Sequence, residues 1–368
     1  MKIGIDCRLY QETGVGRYIR NLVKNLQILD KKNDYVLFVL SKDYDEIIIQ
    51  NPKFKKVRAD LKWHTVSEQF RFPQILNREN LDLMHFPYFS VPILYNKPFI
   101  VTIHDLIYHH FPTGKASTHS SLVYNLKLLS YRYIIQKTTQ NAKKIIAVSN
   151  ATKQEIISIL KIDKNKIAVI TEGVANDMVI QGVGKNSNGK YFLYVGNAYP
   201  HKNLDRLTDA FRNFSKDHPD VKLILVGKED VFYKRLKDKV EKMGLIGKVK
   251  FPGHVTDKEL LNLYASAIGL IAPSLMEGFG LPVLEAMRNK CLVLSSSIPA
   301  FKEILKENAL YFDPNDTEDM IKTMGKTTLI DSANKEKILE NAFKLSLGFS
   351  WEKMVRETLK VYESCVSL

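Results

Sequence analysis

The stretch Ser274–Lys290 reads SLMEGFGLPVLEAMRNK and sets two glutamates, Glu277 and Glu285, around a glycine turn with seven residues between them. Gly278 and Gly280 are expected to bare backbone N–H groups at the start of a helix that Pro282 helps to open. A helix start of this kind attracts an anion. Carboxylates beside it would repel phosphate, and they serve better as acceptors for hydroxyl groups. A ligand that carries phosphates together with many hydroxyls is a sugar nucleotide. Lys202, in the segment PHKN (200–203), is expected to open a helix after an apolar strand. A lysine there adds a point charge to orphan N–H groups and suits a diphosphate; an exposed lysine in a turn is the alternative.

Other candidates stand at the ends of apolar runs. Gly14 and Gly16, after KIGID, precede a helix and could bring backbone amides to a phosphate. They are not a dinucleotide fingerprint, because Ile19 holds the third glycine position, and a plain tight turn explains them as well. FIVTI ends in His104-Asp105, which reads as a group at a sheet edge or as a loop-stabilising pair. Thr256 and Glu259 form a capping-box pattern, and backbone groups beside Val255 could meet a base edge. His109, His110 and His119 complete no metal-ligand spacing, nor do Cys7, Cys291 and Cys365, and no acidic metal motif ends a strand. Neither a metal nor any cofactor is expected.

These residues need a framework. Short apolar runs alternate with helical patterns along all 368 residues, a length that suggests two domains. KIGID, YVLFVL, LDLMHF, FIVTIHD and KIIAVS read as strands buried on both faces. GRYIRNLVKNLQIL reads as a helix burying Ile19, Leu22, Val23 and Leu26, and SLVYNLKLLSYRYIIQKTTQNAKK as a long, mostly apolar one. QGVGKNSNGK (181–190) reads as a linker. The pattern then restarts with YFLYVGN, KLILVG, KVKFPG, GLIAPS and CLVLSS as strands between helices, and SWEKMVRETLKVYESC reads as a terminal helix. The expected architecture is α/β, with two doubly wound Rossmann-like domains over 1–180 and 191–349 facing a cleft.

Composition narrows the class. The chain is 45% hydrophobic and 26% charged, with a formal charge of +14. Residues 1–180 hold 26 basic against 16 acidic residues, net +10, and the remainder 28 against 24, net +4. Lys53, Phe54, Lys55, Lys56, Arg58, Lys62 and Trp63 interleave charge with aromatics. A solvated basic face explains this, and an anionic membrane surface is the sharper reading. Nucleic acid is not expected, since no module for it is present. No signal peptide or spanning helix is read, and three scattered cysteines fit a reducing cytoplasm, with peripheral attachment to the inner face of the cytoplasmic membrane.

EGFGLPVLEA resembles the Glu-x7-Glu signature of the retaining glycosyltransferases of family 4, which have the GT-B fold. The resemblance extends through GIDCRLYQETGVGRY, EQFRFPQIL, LDLMHFPYF, VTIHDLIYHHFP, IIAVSNATKQEI, YVGNAYPHKNLDRLTDAF, GHVTDKELLNLYASA and ALYFDP. It is similar to the bacterial branch that builds O-antigen, capsule and other lipid-linked glycans, often with mannose or rhamnose. The resemblance implies that Glu277 contacts donor-sugar hydroxyls and Glu285 the ribose. Lys202 and the amides of Gly278, Phe279, Gly280 and Leu281 would hold the diphosphate. Gly14 and Gly16 would approach it from the first domain, and His104 would sit beside the reacting sugar. Ser149, Gly196, Asn197, His201 and Val255 would complete the donor site. The terminal helix, 350–368, would pack back on the first domain. His201 and Asn197 stand where many relatives carry an arginine. One fixed cation is therefore missing, and donor binding is expected to weaken or to depend on pH through His201.

The expected reaction is transfer of mannose, rhamnose, glucose or a similar sugar from a nucleoside diphosphate donor to a hydroxyl of a glycan or lipid-linked acceptor, with retention and without a metal. No side chain is an obvious covalent nucleophile. The alternatives are a GT-B sugar-nucleotide epimerase or phosphorylase, and a non-catalytic nucleotide-sugar binder.

Overall fold

The computed structural model describes residues 1–112, 121–174 and 190–366. They form two compact units. The first is Met1–Gly173 together with the C-terminal helix Trp351–Val366; the second is Val174–Ser350. The expected linker, 181–190, lies outside the described residues except for Lys190.

The first unit is a seven-stranded parallel sheet. Its strands are β1 (Lys2–Asp6), β2 (Asp34–Val39), β3 (Phe54–Arg58), β4 (Leu83–Phe86), β5 (Phe99–Ile103), β6 (Lys144–Ala147) and β7 (Ile167–Val169), in the order β3-β2-β1-β4-β5-β6-β7. Ile5 pairs with Leu37 on one side and His85 on the other. The second unit holds six parallel strands: β8 (Tyr191–Val195), β9 (Lys222–Val226), β10 (Val249–Gly253), β11 (Gly269–Ala272), β12 (Val293–Ser296) and β13 (Leu310–Phe312). Their order is β10-β9-β8-β11-β12-β13. The near-continuous apolar runs follow from this layering, because helices cover both faces and alternation would bury polar side chains. In each sheet the order reverses once, at β1/β4 and at β8/β11. Loops leaving the carboxyl ends of those neighbours diverge there and open a crevice.

Three strands carry no clear sequence signal. β7 and β13 have three residues each. β3 is the basic run itself, an edge strand with Lys55, Lys56 and Arg58 among its five residues. Lys53 pairs with Asp34 and Lys55 with Glu79, and Lys56 donates to the carbonyls of Tyr44 and Ile47. Two lysines of the run therefore have carboxylate partners.

The helix Gly14–Leu29 buries Ile19, Leu22, Val23 and Leu26, the positions its spacing selects. Against it and β4 packs the helix Trp351–Val366. Apolar contact is supplemented by a buried chain of polar groups: Tyr362 Oη lies 2.7 Å from His85 Nδ1, His85 Nε2 lies 2.9 Å from Thr102 Oγ1, and Tyr18 Oη lies 3.2 Å from that same hydroxyl. Burial pushes the His85 imidazole down to about 3, with the charge of His104 adding to it, so His85 is neutral at ordinary pH. No helix among the described residues is long and apolar enough to cross a membrane.

Candidate active site

In the second unit the reversal of strand order brings the β8 and β11 loops side by side. After β8 the chain turns at Gly196, whose φ of +150° suits glycine, and Tyr233 Oη donates to the Gly196 carbonyl at 2.8 Å. Tyr194 Oη donates to the Asn197 carbonyl at 2.6 Å. These two tyrosines fix the turn from beneath. A short 3-10 turn, Pro200–Lys202, follows, and Asn203 in the left-handed conformation links it to the helix Leu204–Asp217. Lys202 thus stands just ahead of that helix instead of opening it. The Asn203 amide donates to the carbonyls of Pro273 and Pro314, which ties this loop to the one after β11.

The β11 loop carries Glu277. Lys202 Nζ donates to Glu277 Oε1 at 2.6 Å, and Ser274 Oγ donates to the same oxygen at 2.7 Å. Burial works to raise the Glu277 carboxyl, but Lys202, His201 and Ser274 outweigh it and hold the group below its usual range. It is a carboxylate at neutral pH. The lysine and the glutamate, expected to act on separate parts of a ligand, are thus one ion pair, with side chains only 17% and 13% exposed. Ser274, which the motif did not single out, buttresses the pair.

Gly280, with φ +119°, caps the helix Leu281–Arg288, and a Cβ there would fall 2.6 Å from the Phe301 ring. Phe279 is buried and its ring packs on Phe349 at 6.0 Å. It therefore offers this turn its backbone, as Gly278 and Leu281 do. Glu285 lies one turn into the helix, buried, and accepts a hydrogen bond from Tyr264 Oη at 3.0 Å. Val255 follows β10, half-buried, just before the capping box of Thr256 and Glu259.

His201 changes one expectation. Its imidazole is buried, and burial, with Lys202 beside it, lowers it to about 4 against the opposing pull of Glu277. It carries no charge at physiological pH, so it neither replaces the missing arginine nor titrates near neutrality. Arg206 does not substitute either, since its guanidinium is bonded to Asn203 Oδ1 and the Pro314 carbonyl. Lys202 is left as the cation of this turn.

The first unit gathers its candidates at the carboxyl edge of its own sheet. Gly14 opens the helix Gly14–Leu29, and a Cβ there would meet nothing within 4 Å. Gly16 differs: a Cβ there would fall 2.6 Å from the Tyr10 carbonyl oxygen and 2.8 Å from that of Leu9. Gly16 is therefore required by packing of the preceding loop. Ser149 is fully buried as the N-cap of the helix Asn150–Leu160, its Oγ accepting from the Thr152 amide at 3.0 Å. That hydroxyl closes a helix end. His104 follows β5. Its Nδ1 lies 3.1 Å from Glu172 Oε1 and its Nε2 3.0 Å from the Pro87 carbonyl oxygen. Burial opposes protonation there, but Glu172, Pro87 and Asp105 outweigh it, and His104 is raised above its usual range. Glu172, three residues beyond β7, carried no sequence signal. Among the described residues, no group of three or more His, Cys, Asp or Glu side chains is placed to share a metal ion.

Comparison with known proteins agrees with this arrangement. Residues 13–177 match the family described as Glycosyltransferase Family 4, and residues 177–344 that described as Glycosyl transferases group 1. The O-antigen chain mannosyltransferase RfbU of Salmonella typhimurium is 30% identical over 270 residues, 73% of this chain and 71% of that protein. O-antigen chain mannosyltransferase B of Escherichia coli is 26% identical across 96% of this chain and 97% of its own length. Anabaena HepE, solved in complex with UDP and glucose, superposes with a TM-score of 0.76 at 17% identity, covering 99% of this chain and 100% of that one.

Proposed function

The chain belongs to glycosyltransferase family 4 and has the GT-B fold, and we propose that it moves a sugar from a nucleoside diphosphate donor to a hydroxyl of a glycan or lipid-linked acceptor in cell-envelope polysaccharide synthesis. Mannose is the first sugar to test, since two relatives are named mannosyltransferases. The observation that carries the reading is the Lys202–Glu277–Ser274 cluster beside the glycine turn, at the point where the second sheet reverses its order.

Departure of a nucleoside diphosphate develops negative charge. Lys202 and the amides at the start of the helix Leu281–Arg288 are the groups to receive it, already in place before the reaction. Glu277, kept ionised by Lys202, accepts hydrogen bonds from sugar hydroxyls and shares its lysine with the incoming phosphate. Glu285, oriented by Tyr264, takes a ribose hydroxyl. His104 is the first unit's candidate for orientation and charge stabilisation. The sugar passes through an oxocarbenium-like state as its bond to the diphosphate breaks, and the acceptor hydroxyl attacks from the face the diphosphate leaves, passing its proton to the departing diphosphate oxygen, which gives retention. Lys202 and the helix amides take on the charge stabilisation that a metal would otherwise supply, so transfer proceeds in a chelator.

A panel of nucleoside diphosphate hexoses, read by thermal stabilisation and slow donor hydrolysis, tests the donor reading. Anomeric analysis of the product tests retention. Epimerised donor formed without an acceptor would favour the epimerase alternative, and no turnover with bound donor would favour a binding protein.

An anionic membrane surface is the proposed site of work. Residues 106–154 contain seven Lys or Arg and no Asp or Glu. Within them the helix Ser121–Asn141 exposes Leu126, Leu129 and Tyr133 beside Lys127 and Arg132. Apolar side chains interleaved with cations suit anionic headgroups. Binding to vesicles of anionic lipid at low salt, lost with L126E/L129E, is the expected result; indifference to such vesicles refutes it.

A further inference from the structure

We propose that Glu172 is a positioning residue that keeps His104 doubly protonated, so that the first unit presents a fixed imidazolium. The inference rests on the reading of His104 as a working group of the transferase. Its basis is the pair of partners. Nδ1 faces a carboxylate oxygen at 3.1 Å and Nε2 a backbone carbonyl at 3.0 Å. Both partners only accept. A neutral imidazole has a single N–H, so it would satisfy one of them and turn a lone pair on the other. In a site where His104 is 12% and Glu172 6% exposed, such an orphaned contact is costly.

Three loops converge to build the arrangement. Pro87 follows β4, His104 follows β5, and Glu172 lies beyond β7, the edge strand. Thr152 Oγ1, on the helix Asn150–Leu160, donates to the His104 carbonyl and fixes its backbone. The other groups facing the imidazole reinforce its state or leave it alone. Asp105, next in the chain, favours the cation and has its own carboxylate turned to the Ile107 amide. Tyr18, on the helix Gly14–Leu29, presents its ring edgewise at 5.1 Å, and burial keeps its phenol protonated. His85 on β4 is neutral. Among the described residues, Glu172 is the carboxylate bonded to the ring, and the charge state of His104 depends on it.

The alternative is that Glu172 only staples its loop to the sheet. Glu172→Gln separates the two, because glutamine keeps the size and a hydrogen bond but removes the charge. In the full chain with 15N-labelled histidine, assigned by a His104→Gln variant, the His104 imidazole is expected to titrate above its ordinary value of 6.5. In Glu172→Gln it is expected to titrate below wild type, and Glu172→Asp is expected to restore much of the difference. With a turned-over donor, the alkaline limb of kcat is expected to move to lower pH by the same amount, about tenfold in rate for each pH unit, with KM for the donor little changed. Equal imidazole titration in wild type and Glu172→Gln overturns the proposal. A shifted titration with an unmoved kcat profile overturns its catalytic half. Should wild type turn over no nucleotide sugar, the transferase reading fails, and the imidazole titration still decides what Glu172 does to His104.

Discussion

Replacing Lys202 by methionine isolates the ion pair on which the site is built. The variant keeps the length of the side chain and leaves Glu277, 13% exposed, with Ser274 as its remaining bonded partner among the contacts described above. Removing one partner of a buried pair typically costs about 3–5 kcal/mol. Residual exposure and the Ser274 bond reduce this to about 2–4 kcal/mol at pH 7. Glu277→Gln in the same background removes the stranded charge, so K202M/E277Q is expected to be more stable than K202M alone, with a coupling of about 2 kcal/mol. The pH dependence gives an independent check. The Glu277 carboxyl is held below its ordinary 4.5 in the folded chain, so its contribution is complete above that value and is lost as pH falls through the folded pKa. The gap between wild type and K202M should therefore be full at pH 6–8 and shrink only as pH falls below 4.5. The assay must report on the right unit. Both tryptophans, Trp63 and Trp351, belong to the first one, so indole fluorescence is blind to this change. Hydrogen exchange of peptides spanning 191–203 and 269–288 reads it directly. Strict additivity of the two substitutions, or a gap that does not shrink on acidification below pH 4.5, would refute the reasoning.

Other consequences follow from the same geometry. Glu277→Ala is expected to lower kcat by an amount equivalent to about 2–4 kcal/mol in single-donor assays, and wild-type turnover would remove Glu277 from the site. Tyr362→Phe deletes the hydroxyl beside His85 and should destabilise the first unit by about 1–2 kcal/mol, read by the fluorescence of Trp351 on the same helix. His85 is buried neutral with a folded pKa of about 3 against an ordinary 6.5, so the unfolded chain takes up the proton first. Stability is then complete above pH 6.5 and falls on acidification toward pH 3, by roughly 5 kcal/mol at most, in acid titrations of the same fluorescence. Gly16→Ala forces Cβ against two carbonyl oxygens and should cost about 1–3 kcal/mol in thermal melts. Gly14→Ala, facing open space, should leave stability unchanged by the same measure.

Legibility was uneven for physical reasons. The long buried strands and the helix Gly14–Leu29 could be read because burial on both faces, or on one stripe, leaves a periodic record in residue type. β7 and β13 are too short to leave one. β3 was hidden by its lysines, whose partners Asp34 and Glu79 lie far from them in sequence. Glu277, Lys202, His104 and the glycine turn were found because each stands where an apolar run stops. Ser274 and Glu172 were not, since a serine at a strand end and a glutamate in a loop are common, and only their distances to Glu277 and His104 mark them.

The order of residues alone determined that this chain forms two parallel α/β units and that a glycine turn with paired glutamates follows a strand in the second. Those features are local, set by periodicity and by the backbone freedom of glycine. Charge state was decided only in three dimensions. Burial makes His201 and His85 neutral, while His104, also largely enclosed, gains a carboxylate and is pushed the other way. Nor could spacing say that Lys202 and Glu277 are one ion pair or that Ser149 caps a helix. Desolvation and Coulomb energies depend on neighbours brought together by strand order, and a sequence does not display those neighbours side by side.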